Sequence, residues 1–317
     1  MTEFGYALSS EEHGPKELVG LARQAEETGF EFAMISDHFH PWTDAQGQSP
    51  FVWSVIGGIA GETSRLRLGT GVTCPTIRTH PAIVAQAAAT SAALTDGRFF
   101  LGVGSGENLN EHVVGEGWPA PDERLGMLEE AIEVMRLLWQ GGQQTFRGDY
   151  YDLEQARLYT LPEEPVQLAI AAAKEQAARV AGELGDAFIN VAPDEEAIQT
   201  FEAAGGRGKP KYGQITMCWA KTEEEGAKTA CEIWPNAALG GDLSYELPLP
   251  EHFEQSTEDF TPEQLAEAIP CGPDVERYVE AIREYEQAGY THIYFHQVGH
   301  DQDGFFRFWR DELSPKL

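Results

Sequence analysis

The chain has 317 residues, of which 52 are Asp or Glu and 22 are Lys or Arg, a formal net charge of −30 at pH 7. So acidic a composition argues against a nucleic-acid groove or docking on anionic lipid, because both need cations gathered on one face. With 42% hydrophobic and 10% aromatic residues the chain can build a large core, which argues against a disordered acidic chain.

The cations divide into 15 Arg and 7 Lys. A globule carrying this much acid repels itself at low salt and is tolerated where ions screen it. The expectation is a cytoplasmic protein of a halophilic archaeon. Cys74, Cys218, Cys231 and Cys271 show no CxxC spacing and read as free thiols of a reducing compartment. The opening residues, MTEFGYALSSEEHG, have neither the basic nor the apolar region of a secretory signal. No apolar run approaches the ~18 residues that cross a bilayer.

Apolar or β-branched runs that read as strands fall at 4–8, 32–36, 66–72, 98–103, 166–171, 187–191, 212–219 and 292–297. Amphipathic stretches with a 3.6-residue period lie between most of them, at 16–28, 82–94, 124–139, 176–184 and 275–288. Gly29 and Gly289 each end such a stretch and suit the left-handed position after a helix. Eight strands with helical crossovers predict an α/β fold, a (β/α)8 TIM barrel forming one domain over 1–317. Such a barrel needs ~250 residues. The excess is assigned to insertions near 108–122, a polar stretch, and 240–273, a loop-rich one. An open doubly wound sheet fits less well, because the first strand runs into ALSSEEHG and not into a GxGxxG turn.

Barrel enzymes work at the C-terminal ends of their strands, so the residues there are the candidates. Ser9, Ser10, Glu11, Glu12 and His13 follow strand one, and the segment from Ser36 to Trp42 follows strand two. Asp37, His38, His40 and Trp42 in that segment place a titratable base in a partly apolar setting. A metal is not expected, since neighbours on one short segment cannot all converge on one ion. After strand four, GVGSG at 102–106 lets backbone approach a flat ligand closely, with Glu107 at its edge. Glu107 and Asn110 stand where a P-loop would carry Lys and Ser or Thr, so that reading fails. The segment Ala172, Ala173, Lys174, Glu175, Gln176 opens a helix beside a lysine, an anion site. Strand eight contributes His296 and His300.

With these residues in place, the chain resembles the luciferase-like barrel family, in the branch that uses the deazaflavin coenzyme F420. The likeness spans nearly the whole chain and rests on SDHFHPW (36–42), GVTCPTIRTHPAIVAQ (71–86), GVGSGENLNE (102–111) and FHQVGHDQ (295–302). It implies hydride transfer between F420 and a small alcohol, aldehyde, ketone or sugar, with FMN as the alternative cofactor and a monooxygenase as the alternative enzyme. A homodimer is implied as well. By resemblance, His38 is the general base, Trp42 flanks the reacting carbon, Glu107 is the proton partner of the ring, and Glu11 lines the substrate side. Asp37, Gly71, Val72, Cys74, Gly106 and Asn110 are implied around the ring, with a non-proline cis peptide at Gly71–Val72. The coenzyme phosphate is implied at Ala173, Lys174, Glu175 and Gln176, with Arg78 as a further cation.

One departure bears on substrate. Sugar-phosphate members of the family grip phosphate with two lysines and an arginine, which fall here at 191–194, near Gln255 and near Ala268, all without a cation. A dianion beside Asp194 would be repelled, so the expected substrate is an uncharged alcohol or an unphosphorylated sugar and not a hexose phosphate. His40 and the run Thr73–Cys74–Pro75 look more like the alcohol dehydrogenase branch.

Overall fold

In the computed structural model, which describes residues 2–317, the eight expected strands close into one parallel barrel. They are β1 (Glu3–Leu8), β2 (Phe32–Ile35), β3 (Arg67–Thr70), β4 (Phe99–Val103), β7 (Gln167–Ala171), β8 (Ala187–Asn190), β9 (Lys211–Met217) and β10 (His292–Gln297). Closure joins β1 to β10 through Phe4↔Ile293 and β1 to β2 through Gly5↔Phe32. The two remaining strands, β5 (Gln144–Arg147) and β6 (Asp152–Ala156), form an antiparallel hairpin outside the barrel. Their mixed exposure and short polar sequences gave no apolar run to read.

Alternate residues of each strand face inward. Phe32, Met34, Phe100, Ile189, Tyr212 and Tyr294 therefore fill the barrel interior. The larger core lies between the strands and the surrounding helices, with Leu8, Ile56, Val84, Leu101, Ile132, Phe188 and Phe295 among its members. The helices α1 (Pro15–Thr28), α3 (Pro81–Leu94), α5 (Pro121–Trp139), α6 (Glu175–Leu184) and α12 (Val275–Ala288) occupy the expected stretches. Gly29 and Gly289 adopt φ of 96° and 104° at the ends of the first and last of these. Helix α2 (Val52–Glu62) was not legible, because its sequence VWSVIGGIAGE carries three glycines and almost no polar face.

Segment 240–273 differs from its loop-rich reading. It holds the helices α9 (Leu243–Glu246), α10 (Pro250–Thr257) and α11 (Pro262–Ala268). Pro250 and Pro262 sit in the first helical turn, where a missing N–H is harmless, so they start helices instead of breaking them. Trp234, Leu265, Ile269, Cys271 and Val298 make a second core beneath this segment, with Trp42 packed against it. Segment 108–122 begins with the short helix α4 (Asn108–Glu111). Helices α7 (Glu195–Phe201), α8 (Glu223–Ile233) and α13 (Gln302–Phe308) complete the set. Among the described residues no helix is long and apolar enough to cross a membrane. Several strands stop short of their expected ends: Ser36, Gly71, Val72 and Val191 stand beyond the last paired residue, in the loops that carry the site.

Candidate active site

The C-terminal ends of the strands surround a cavity of about 930 Å³, near the upper end of the range of roughly 300–1,000 Å³ for small-molecule sites. His38 enters it from the loop after β2, with Trp42 edge-on at a ring separation of 5.0 Å. Behind His38, Glu11 is buried, its Oε1 3.2 Å from His38 Nδ1. The approach is angled away from a straight hydrogen bond, yet close enough to stabilise an imidazolium. Glu11 Oε2 accepts from Ser36 Oγ at 2.6 Å and Ser9 Oγ at 3.1 Å, which fixes the carboxylate. With Nδ1 turned to Glu11, Nε2 is the nitrogen left for a ligand. Glu11 therefore orients the His38 ring and is part of the wall as well.

Gly71–Val72 is a cis peptide that also lines the cavity. A Cβ on Gly104 would come within 2.9 Å of Val72 Cγ2, so glycine there keeps this wall flat enough for backbone to meet a planar group. Glu107 lines the cavity beside Gly104 and Gly106, and no described residue donates to its carboxylate. Its charge reaches Tyr245, whose hydroxyl is pushed up by burial and further by Glu107 and Asp242.

The polyanion end is built differently from its expectation. Ala173, Lys174 and Gln176 line the cavity at the start of α6, where first-turn amides face outward without a side-chain cap. Lys174 Nζ is 2.8 Å from Asp242 across the mouth, both side chains being exposed. Arg124, which sequence reasoning missed, also lines the cavity and is 4% exposed. Its guanidinium lies over the Trp118 ring at 4.0 Å and meets Glu246 at 3.4 Å, while its Nε is buried without a partner. The position of Arg124 in the first turn of α5 made it look like an ordinary surface cation.

Arg78 bridges Asp37 Oδ1 at 3.0 Å and Glu111 Oε1 at 3.4 Å, away from the cavity wall. Burial alone would lower the Arg78 pKa, but the two carboxylates hold it above its ordinary value. Burial in turn pushes Glu111 up to about 7. Asp37, expected against the ring, is committed to this cluster and to Thr73 Oγ1 at 2.7 Å. Cys74 is buried against Thr76 Oγ1 at 3.0 Å, and burial raises its thiol well above the usual range. Asn110 accepts from the Phe39 amide at 2.8 Å, and His40 Nδ1 meets the Leu109 carbonyl at 3.0 Å. Glu175 pairs with Arg179 on the outer face. None of Asp37, Cys74, Asn110, His40 or Glu175 lines the cavity; the first four brace the loops that do.

A second histidine on the wall, His296, is buried and lies 2.9 Å from Glu12, with Nε2 toward Oε2. Burial would raise the Glu12 pKa, but His296 and the Gly299 N–H hold it below the ordinary carboxyl value. Strand parity is the signal that finds His296, since His292, Tyr294 and His296 share one face of β10.

A flat coenzyme with an acidic tail fits these residues. The Gly104 cradle suits a planar ring, and the orphaned Nε of Arg124 with Lys174 and the α6 amides suits an anion. Among the described residues no three of His, Cys, Asp or Glu gather to hold a metal ion.

The family model for luciferase-like monooxygenases matches residues 1–292. The chain is 35% identical to an F420-dependent glucose-6-phosphate dehydrogenase of Nakamurella multipartita over 99% of this chain and 96% of that one. Identity to the protein of the same description from Nocardia farcinica is 37%, covering 99% and 98%. An F420-dependent secondary alcohol dehydrogenase, solved with an F420–acetone adduct, superposes with a TM-score of 0.92 at 29% identity over 99% and 98% of the chains.

Proposed function

The chain belongs to the luciferase-like monooxygenase family of barrels, and from that premise we propose an F420-dependent oxidoreductase acting on the CH–OH group of an uncharged alcohol or unphosphorylated sugar. Bound F420 supplies the hydride acceptor, or the donor in the reverse direction. His38 Nε2 takes the hydroxyl proton as the carbon loses hydride. Glu11 offsets the charge that forms on the imidazole, and its two serine donors keep it in place. Trp42 excludes water beside the reacting carbon. Glu107, free of protein donors, would stand at the edge of the coenzyme ring, where it could hold or release a proton. Lys174, Arg124 and the α6 amides would hold the acidic tail.

The observation that carries the substrate half of this reading is the charge at the far end of the cavity. Val191, Ala192, Pro193 and Ala268 line it where phosphate-binding cations were sought, and Gln255 stands off the wall. Arg277 is the cation present, but it is bonded to Glu223 at 2.9 Å, with Glu267, Glu280 and Glu284 nearby on the same wall. A phosphate dianion would face three carboxylates and one arginine already engaged. The second reading, a glucose-6-phosphate dehydrogenase, is favoured by the relatives of that description at 35–37% identity. Steady-state kinetics with F420 at molar salt separate the two. Neutral alcohols or free sugars are expected to turn over, and glucose 6-phosphate with a micromolar KM would overturn the substrate assignment. We extend the proposal to a homodimer in a salt-rich cytoplasm, supported by Ile83 and Leu94 exposed on α3 and tested by sedimentation at molar salt.

A further inference from the structure

Glu12 is fully enclosed and held below its ordinary pKa, so it is a carboxylate and can only accept. The His296 nitrogen facing it carries the hydrogen, and in the neutral ring Nδ1 is then the nitrogen that can accept. Nδ1 is 3.5 Å from Thr216 Oγ1, too far for a strong bond, and Gln214 Nε2 reaches the same hydroxyl at 3.3 Å. Gln214 and Thr216 are two apart on β9 and share a face. His296, Thr216 and Gln214 all line the cavity. Trp234 packs edge-on to the His296 ring at 4.3 Å and holds its plane. The result is a polar edge with loose internal bonds, carried by β9 and β10 and not by the loop that holds His38, and the proton transfer described above does not use it.

We propose that His296, oriented by Glu12, is a specificity-determining residue that hydrogen-bonds a second hydroxyl of the substrate, so that the enzyme selects neutral polyhydroxylated substrates over monoalcohols. The inference rests on the CH–OH reading above. In it, Nδ1 accepts the second hydroxyl's proton in a hydrogen bond, while Thr216 and Gln214 donate to its oxygen.

A matched pair tests this: cyclohexanol, with one hydroxyl, and 1,2-cyclohexanediol, with the same ring and two. The wild-type ratio of kcat/KM should favour the diol, and His296→Ala should lower that ratio about tenfold, as for one lost hydrogen bond to a polarised group. Thr216→Val, which leaves the buried His296–Glu12 hydrogen bond intact, should lower it severalfold and guards against misfolding of the first variant. Titrating the diol into ¹⁵N-histidine-labelled protein should shift the His296 ring resonances, and cyclohexanol should not. Equal losses on both substrates, or an unchanged ratio in both variants, would overturn the proposal. Ring shifts on diol without any F420 reduction would sink the CH–OH reading alone. Turnover of both substrates with no shift and no change of ratio would sink the second-hydroxyl inference alone.

Discussion

Two consecutive residues, Glu11 and Glu12, leave the same strand end and each fixes a histidine, but the two pairs are not alike. Glu11 takes His38 by Nδ1 and is itself held by two serine hydroxyls, so Nε2 is presented beside Trp42. Glu12 takes His296 by Nε2 and is held by the Gly299 amide, so Nδ1 is presented beside Thr216. The first histidine stands in a loop with its side chain 10% exposed, and the second is 2% exposed in a strand. Proton transfer needs a base that can change charge. Recognition needs a ring that does not move. On the proposed reading, the loop histidine does the chemistry and the strand histidine reads the substrate.

The largest effect should come from removing the base. His38→Ala is expected to lower kcat/KM by about 10²–10⁴ on every alcohol while F420 affinity, measured by fluorescence titration, is kept. Glu11→Gln should cost about 10² in kcat, because the ring loses its orienting carboxylate. If His38→Ala instead changed only the preference among alcohols, the two roles would have to be exchanged.

Stability against pH sharpens the comparison next. The folded-state pKa of Glu12 is depressed, so its contribution is present above the ordinary carboxyl pKa of about 4.5 and is lost as pH falls through the folded value. Glu12→Gln should therefore melt below wild type at pH 7, and the gap should narrow on acidification. Glu111 is the opposite case. Its folded pKa, about 7, lies above 4.5, so its contribution is present below 4.5 and is lost as pH rises through 7. Glu111→Gln should flatten the fall in melting temperature between pH 5 and 8, measured by calorimetry, by at least about 2–4 °C.

The smallest effect belongs to an exposed pair. Lys174→Ala breaks the contact with Asp242 and removes one cation from the proposed tail site. F420 affinity should fall only severalfold at low salt and hardly at all at molar salt, where exposed charges are screened. A large, salt-independent loss would place Lys174 with the buried groups.

Much of the barrel was legible because burial on both faces writes strands as apolar runs and amphipathic helices write their own period. His38, Trp42 and Glu107 were legible because they stand in short loops just past those strands. Helix α2 and the hairpin of β5 and β6 were not, since one is nearly all apolar and the other nearly all polar.

The sequence by itself determined the alternation of strands and helices, the strand ends that carry the site, and the acidic balance that keeps phosphate-binding cations scarce. Only the tertiary structure decided which loop side chains reach the cavity. Asp37 turns outward to Arg78 because a buried carboxylate takes the nearest buried cation. Arg124 turns inward because Trp118 and Glu246 hold it there. Glu12 meets His296 across 284 residues of chain. Such pairings are set by closure of the barrel, which brings β10 beside β1, and no local pattern along the chain records them.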